Sequence, residues 1–333
     1  MDPKNWLDQV QEDILEPALP ICDPHHHLWD HPQNRYLLDA LLADIGSGHN
    51  VVSTVFMECG SMYRADGAEA LKPVGETEFV NGIAAMSASG GYGDSRACAA
   101  IVSYANLNLG SATSDVLEAH MQASGRFRGI RHASGWDGSE VVRNSHTAPT
   151  EHMLADTTFR EGFAELSKRG LTFDAWLYHP QIPELTDLAR AFPETTIIFD
   201  HFGGPLGIGP YEGNREAIFT KWQTDVAELA RCQNVVAKLG GLVMPINGFG
   251  FHKRATPATS DELVAVTQRY YLHMIEHFGA ERCMFESNFP VDKASCSYAV
   301  LWNSFKKLTS GFSEAERASL FHDTASRVYR VET

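Results

Sequence analysis

Short apolar runs alternate with amphipathic stretches along the whole chain. Eight runs rich in aliphatic, aromatic and β-branched residues predict strands: residues 19–23, 51–58, 99–104, 127–132, 172–177, 195–200, 234–239 and 283–286. Between them, apolar residues recur at helical spacing, as in residues 158–169 and 261–278. Several strands are apolar almost throughout, as parallel strands covered on both faces are. The alternation predicts a single α/β domain over residues 1–333, a (β/α)8 TIM barrel; the alternative, a doubly wound sheet, lacks its glycine-rich phosphate loop.

Two long polar segments interrupt this alternation. They are residues 62–75, after the second predicted strand, and residues 242–259, after the seventh. Loops after barrel strands lie at the catalytic face, so both are expected there; the alternative is that they are disordered insertions.

Composition and charge exclude several classes of protein. Hydrophobic residues make up 44% of the chain, enough for a large core, and the formal net charge of −15 disfavours nucleic acid as a partner. No apolar run reaches the roughly 18 residues that span a membrane, and the first six residues lack the pattern of a signal peptide. Six cysteines without CxxC pairing are typical of reduced thiols, which favours the cytoplasm. Composition and charge do not decide between a monomer and a homo-oligomer.

Titratable or polar side chains stand at the end of every predicted strand. The carboxyl ends of barrel strands meet at one mouth, where barrel enzymes carry out their chemistry. The side chains concerned are His25, His27, Glu58, Tyr104, Asn106, Arg131, His132, His179, Asp200, His201, Lys238, Glu286, Asn288 and Asp292. A barrel with only a structural role does not need this pattern, so it predicts an active site at the mouth.

The sharpest local signal is the pair His25 and His27. Alternate side chains of an extended segment share a face, so both imidazoles are expected to point the same way and to chelate a first-row divalent metal. Without the strand-end context, a polar loop with stacked histidines would be the better interpretation.

Four segments resemble the marks of the amidohydrolase-2 family, metal-dependent hydrolases of TIM-barrel fold. They are residues 23–30 (Asp-Pro-His-His-His-Leu-Trp-Asp), 126–132 (Arg-Phe-Arg-Gly-Ile-Arg-His), 199–205 (Phe-Asp-His-Phe-Gly-Gly-Pro) and 284–292 (Met-Phe-Glu-Ser-Asn-Phe-Pro-Val-Asp). The resemblance spans nearly the whole chain in the right order. It implies a family that includes lactonases and a related branch of metal-dependent decarboxylases.

The resemblance also implies roles for individual residues. His25 and His27 become the first metal ligands, with His179 at the position of a further ligand on strand 5. The ion expected is one divalent metal, zinc first and manganese second, although some lactonases of the family require little or no metal. His201 matches the family's acid/base or carbonyl-polarising histidine on strand 6.

The strand-8 position departs from the family pattern. The family usually has Ser-Asp where this chain has Ser287-Asn288, and an amide can neither bind metal well nor accept a proton. Three explanations stand: Asp292 or Glu286 supplies the carboxylate, with Asp292 the first choice; the enzyme works without tightly held metal; or Asn288 replaces an original aspartate.

Five further strand-end residues are candidates for substrate binding. Arg131 is placed to grip a carboxylate, and Lys238 to bind an acidic group. Glu58 is expected at the mouth or paired with an arginine, while Tyr104 and Trp176 would form an apolar wall.

The function predicted from these residues is hydrolysis of a small cyclic ester, a lactone, to an organic acid. The substrate would be a small molecule bearing a carboxylate or a lactone ring, with no nucleic acid and no membrane involved. Two alternatives remain: a metal-dependent non-oxidative decarboxylase of an aromatic or muconate-like acid, and a catalytically impaired barrel that binds a ligand. Carbon dioxide release without water uptake would select the decarboxylase.

Overall fold

The eight predicted strands are all present and form one parallel sheet in chain order. The computed structural model describes residues 6–32 and 34–331, so the first five residues, which entered the argument on signal peptides, lie outside the described residues. The strands are β1 Pro20–His26, β2 Asn50–Met57, β3 Arg96–Ser103, β4 Phe127–Arg131, β5 Thr172–Ala175, β6 Ile197–Phe199, β7 Val235–Leu239 and β8 Cys283–Phe285. A short antiparallel ribbon, Trp29–His31 with Asn34–Tyr36, follows β1.

Helices alternate with the strands, which confirms the predicted (β/α)8 barrel. They are α1 Leu38–Ile45, α2 Val74–Ala88, α3 Thr113–Ala123, α4 Thr157–Ser167, α5 Ile182–Ala191, α6 Arg215–Leu229, α7 Ser260–Phe278, α8 Tyr298–Leu308, α9 Glu314–Ala318 and α10 Thr324–Val328. The predicted helices 158–169 and 261–278 correspond to α4 and α7. Asp156 caps α4 by accepting from the backbone of Thr158 and Phe159. Within the described ranges, no helix is both long and apolar enough to cross a membrane.

The first and last strands meet just beyond their carboxyl ends, in what we call the seam. The backbone N–H of Asn288 donates to His25 O at 3.0 Å, and that of His27 donates to Phe289 O at 2.8 Å. The residues that follow β8 therefore pair with the His25–His27 segment.

The barrel interior has an apolar lower layer and a polar upper layer. Val236 and Met284 pack inside the barrel with the buried Tyr329 from the chain's end. Two residues further along β7, the strand pleat returns Lys238 to the same interior face, and Glu286 lies correspondingly above Met284. The polar upper layer is the floor of the mouth.

Candidate active site

A cavity of about 930 Å³ opens at the carboxyl ends of the strands. Its walls come from the segments after β1, β4, β5, β6, β7 and β8. The two loops expected at this face differ: residues 244–253 after β7 line the cavity, whereas the loop after β2 contributes Cys59 alone and otherwise folds away. The loop after β4, residues 132–152, forms a large part of the wall and was not predicted.

The first two histidines lie as the alternation predicts. His25 Nε2 and His27 Nε2 are 3.2 Å apart, and both side chains are buried. His27 Nδ1 lies 2.8 Å from Met57 O, so Nδ1–H donates there and Nε2 keeps a free lone pair. The alternation continues outwards, with Trp29 stacked on His27 and His31 stacked on Trp29.

Glu286 lies between two histidines on the floor. Its Oε2 is 2.8 Å from His25 Nδ1, and its Oε1 is 2.6 Å from His201 Nδ1. Burial lowers the pKa of His201 to about 3 and raises the pKa of Glu286 to about 8, although Lys238 opposes the second shift. His201 is therefore a neutral imidazole. Its Nδ1 hydrogen-bonds Gly240 O at 3.3 Å and lies next to Glu286, and the ring lines the cavity beside Trp176.

Arg131 is fixed by Glu58 at the end of β4. Its Nε donates to Glu58 Oε1 at 2.7 Å, its Nη2 donates to Glu58 O at 2.6 Å, and its Nη1 lies 3.3 Å from His25 Nε2. Burial alone would raise the pKa of Glu58, but the charges of Arg131 and His146 outweigh it and lower that pKa to about 2. Arg131 reaches the cavity, as predicted, whereas Glu58 lies behind it and holds it in place.

Lys238 is not at the mouth, which corrects its assignment to substrate binding. It is fully buried within the polar layer that forms the floor and does not line the cavity; its Nζ donates to Asp174 Oδ1 at 2.6 Å and lies 3.4 Å from Asp200 Oδ1. These two carboxylates raise its pKa even though burial lowers it, so the ammonium stays charged. The pair is a structural ion pair of the polar layer.

Asn288 reaches the cavity, but Asp292 does not, which corrects its assignment as the base. Asp292 is fully buried behind Asn288, and its Oδ1 accepts from Asn288 Nδ2 at 3.2 Å. Burial holds the pKa of Asp292 well above its usual range. Its contact with Asn288 positions the amide, and the carboxylate that reaches the histidines is Glu286.

Of three other predicted site residues, one lines the cavity and two do not. Trp176 lines the cavity, as expected. Tyr104 does not: its ring packs at 5.2 Å against His132 behind β4. His179 lies away from the histidine pair, where its Nδ1 accepts from the backbone N–H of Leu206 at 3.2 Å; this position corrects its assignment as a metal ligand.

Sequence reasoning missed His146, in the loop after β4. The side chain is 42% exposed, lines the cavity, and places Nε2 3.0 Å from Glu58 Oε2. The rim also carries Arg143 and Lys253. His146 lies fifteen positions beyond the end of β4, so strand register gives no signal for it.

The donor atoms fit a divalent metal. The 3.2 Å between the Nε2 atoms of His25 and His27 is close to the roughly 3.3 Å expected for two imidazoles on one tetrahedral zinc. Burial lowers the pKa of both histidines, which keeps them neutral as ligands must be. Asp200 is fully buried and forms a group with His25 and His201 whose ligand atoms all lie within 4.8 Å of one another, so it can supply an anionic ligand. Arg131 competes for the same His25 nitrogen.

Comparisons with known proteins agree with this fold. The chain is 34% identical to the uncharacterized protein y4mH of Sinorhizobium fredii (strain NBRC 101917 / NGR234), over 93% of this chain and 98% of that protein. It is 23% identical to the L-fucono-1,5-lactonase of Burkholderia multivorans (strain ATCC 17616 / 249), over 93% and 95% of the two chains. A crystal structure of an amidohydrolase from Burkholderia multivorans with bound zinc matches its fold with a TM-score of 0.72 at 21% identity, covering 94% of this chain and 99% of that one. The sequence profile of the amidohydrolases matches residues 22–331, and the chain therefore belongs to the amidohydrolase family.

Proposed function

We propose that this protein hydrolyses a small lactone to the corresponding hydroxy acid. The observation that carries the proposal is the floor of the cavity, where a neutral histidine in contact with a buried carboxyl group lies beside a fixed guanidinium. His201 Nδ1 is held 2.6 Å from Glu286, and the Arg131 side chain is held by two hydrogen bonds to Glu58. A proton acceptor next to a cation is what water attack on an ester carbonyl requires. The similarity to L-fucono-1,5-lactonase supports the choice of a lactone.

Three side chains have roles in the proposed reaction. His201 accepts a proton through Nε2 from the attacking water, because Nδ1–H donates to Gly240 O at 3.3 Å. Arg131 stabilises the charge that develops on the carbonyl oxygen, and it does so without rearrangement because Glu58 already fixes it. Trp176 provides an apolar surface beside His201 for the ring.

A divalent metal, if bound, would be held by His25 and His27 with Asp200 as the anionic ligand. It would supply Lewis acidity at the lactone carbonyl and favour ionisation of water.

The test is a panel of sugar 1,5-lactones and aromatic lactones, with acid release followed in a pH-stat and ¹⁸O uptake from labelled water measured in the product. We expect His201→Asn to lower kcat at least about 100-fold, the lower end of general acid–base contributions, without loss of folded protein. Asparagine suits this position because the backbone of residue 201 has φ 51°, which asparagine tolerates well.

The matched control is His152→Asn, an exposed histidine in the loop after β4 that also pairs with a carboxylate, Glu184, but lies outside the cavity wall. It should keep full activity. Carbon dioxide release from an aromatic acid without ¹⁸O uptake would replace this proposal with a decarboxylase.

A further inference from the structure

We propose that His146 is a second catalytic histidine, which donates the proton to the leaving oxygen of the lactone. The inference rests on the proposed lactone hydrolysis and extends it. It also gives a function to the loop after β4.

The first argument is the geometry of the pair that His146 forms with Glu58. His146 Nε2 lies 3.0 Å from Glu58 Oε2, and Glu58 is fully buried and ionised. This contact orients the ring, leaving Nδ1 as the nitrogen without a protein partner among the described residues. Because 42% of the side chain is exposed and lines the cavity, Nδ1 is the atom that can meet a substrate.

The second argument is the connection between the two histidine–carboxylate pairs. Glu58 also holds Arg131, Arg131 Nη1 contacts His25, and His25 Nδ1 contacts Glu286, which in turn contacts His201. The contacts form one continuous chain that begins at His146 and ends at His201, and both end residues line the cavity. Arg131 keeps its protons, so the chain does not conduct one. It fixes two separate imidazoles around one substrate.

The third argument is that four other groups of the site, those of Asn288, Arg131, His201 and Glu286, cannot donate to the leaving oxygen. The amide of Asn288 has no acidic proton, and Arg131 holds its protons too tightly. His201 is used as the acceptor from water, and Glu286 lies beneath the histidines without lining the cavity. Ring opening of an alkyl lactone releases a strongly basic alkoxide, so a donor is needed.

The protons balance across the two histidines. Water oxygen bonds to the carbonyl carbon as its proton passes to His201 Nε2. The bond from that carbon to the ring oxygen breaks, and the ring oxygen takes the proton from His146 Nδ1; His146 enters this step with protons on both ring nitrogens and leaves it with one, on Nε2. Solvent then removes the proton from His201 and returns one to His146, so the net reaction is lactone plus water to hydroxy acid.

The test compares leaving groups in His146→Asn, whose amide can still donate to Glu58 but cannot supply a proton. A phenolate needs far less protonation than an alkoxide. We therefore expect kcat/KM for δ-valerolactone to fall about 100-fold, and that for 3,4-dihydrocoumarin by less than about threefold. His152→Asn should change neither rate. An equal fall with both lactones, or no fall with either, would overturn the inference.

A second measurement separates this inference from the proposed function. If the wild-type chain hydrolyses neither lactone, the result counts against lactone hydrolysis with these probes. The pair of His146 and Glu58 is then tested by a measurement that needs no turnover. In ¹⁵N-histidine-labelled protein, long-range ¹H–¹⁵N spectra should show a proton on Nε2 of His146, assigned by its absence in His146→Asn. Glu58→Gln should abolish this tautomer preference. A proton fixed on Nδ1 alone, or no response to Glu58→Gln, would refute the pair.

Discussion

At the scale of single residues, the contact between Asn288 and Asp292 decides what the strand-8 position can tolerate. Asn288 Nδ2 donates to Asp292 Oδ1 at 3.2 Å, and both side chains are buried. Asn288→Asp would replace the donor with a second carboxylate, so one of the two acids must keep a proton in the folded state. We therefore expect this variant to be destabilised, by roughly 1–3 kcal/mol near neutral pH, the cost of leaving a buried polar group without its partner.

The pH dependence of that loss has a definite sign. Burial already holds the pKa of Asp292 well above its usual range, and loss of the amide donor raises it further. A folded-state pKa above the unfolded value means that stability present at low pH is lost as pH rises. Urea unfolding should show a larger deficit at pH 8 than at pH 5. The exchanged pair Asn288→Asp with Asp292→Asn restores one donor and one acceptor and should recover most of the loss. An equal deficit of the single variant, relative to wild type, at both pH values would contradict this account.

Strand register explains which site residues could be predicted from the sequence. His25, His27, His201 and Arg131 were identifiable because each stands at the end of a buried strand or within two positions of it, where the pleat sets its direction. How far a side chain lies below the mouth of the barrel was not predictable in the same way. Lys238 lies within its strand and faces the polar interior layer.

At the scale of elements, the loop after β4 depends on one glutamine at the start of α5. Gln181 Nε2 donates to Ser134 O at 2.6 Å, and its Oε1 accepts from the backbone N–H of Trp136 and of Tyr178, at 3.1 and 3.2 Å. Gln181 is buried, so its amide replaces backbone pairing that the loop lacks.

Gln181→Leu should therefore loosen this loop more than it weakens the barrel. We expect faster proteolytic cleavage within residues 132–152 and a rise in KM, because His146 is carried by that loop. Gln233→Leu, a change at a side chain with only an exposed local hydrogen bond, is the control. An unchanged cleavage rate would show that other contacts hold the loop.

The sequence patterns predicted the regular elements because these have a hydrophobic period, and they missed this loop because it has none. Helices and strands have hydrophobic periods of about 3.6 and 2 residues, which identified α4, α7 and all eight strands. A loop held by an amide from a later segment has no period. His146 owes its position to tertiary contacts, which only the folded chain brings together.

At the scale of the whole molecule, Asp23 holds the seam between the first and last strands. Its Oδ1 accepts from the backbone N–H of Ser287 at 2.9 Å, and its Oδ2 accepts from Tyr298 OH at 2.9 Å. Asp23 is fully buried, and burial raises its pKa to about 6. It connects β1 with the segment after β8 and with α8.

Asp23→Ala should therefore destabilise the entire barrel. Each buried donor left without its acceptor costs roughly 1–3 kcal/mol, so we expect a loss of a few kcal/mol in the free energy of unfolding measured with urea. Tyr298→Phe removes one partner and should cost only about 1 kcal/mol. A loss for Asp23→Ala no larger than that for Tyr298→Phe would mean that the seam does not depend on the carboxylate.

The seam also determines how much of the chain must be synthesised before the candidate active site can form. The backbone of the His25–His27 segment is fixed by Asn288 and Phe289, more than 260 positions later in the chain. A nascent polypeptide that has emerged only as far as β7 lacks Glu286 and both of these partners. Neither histidine has its final contacts until the residues that follow β8 have left the ribosome. The candidate active site thus has no partially made precursor, and its appearance coincides with completion of the barrel.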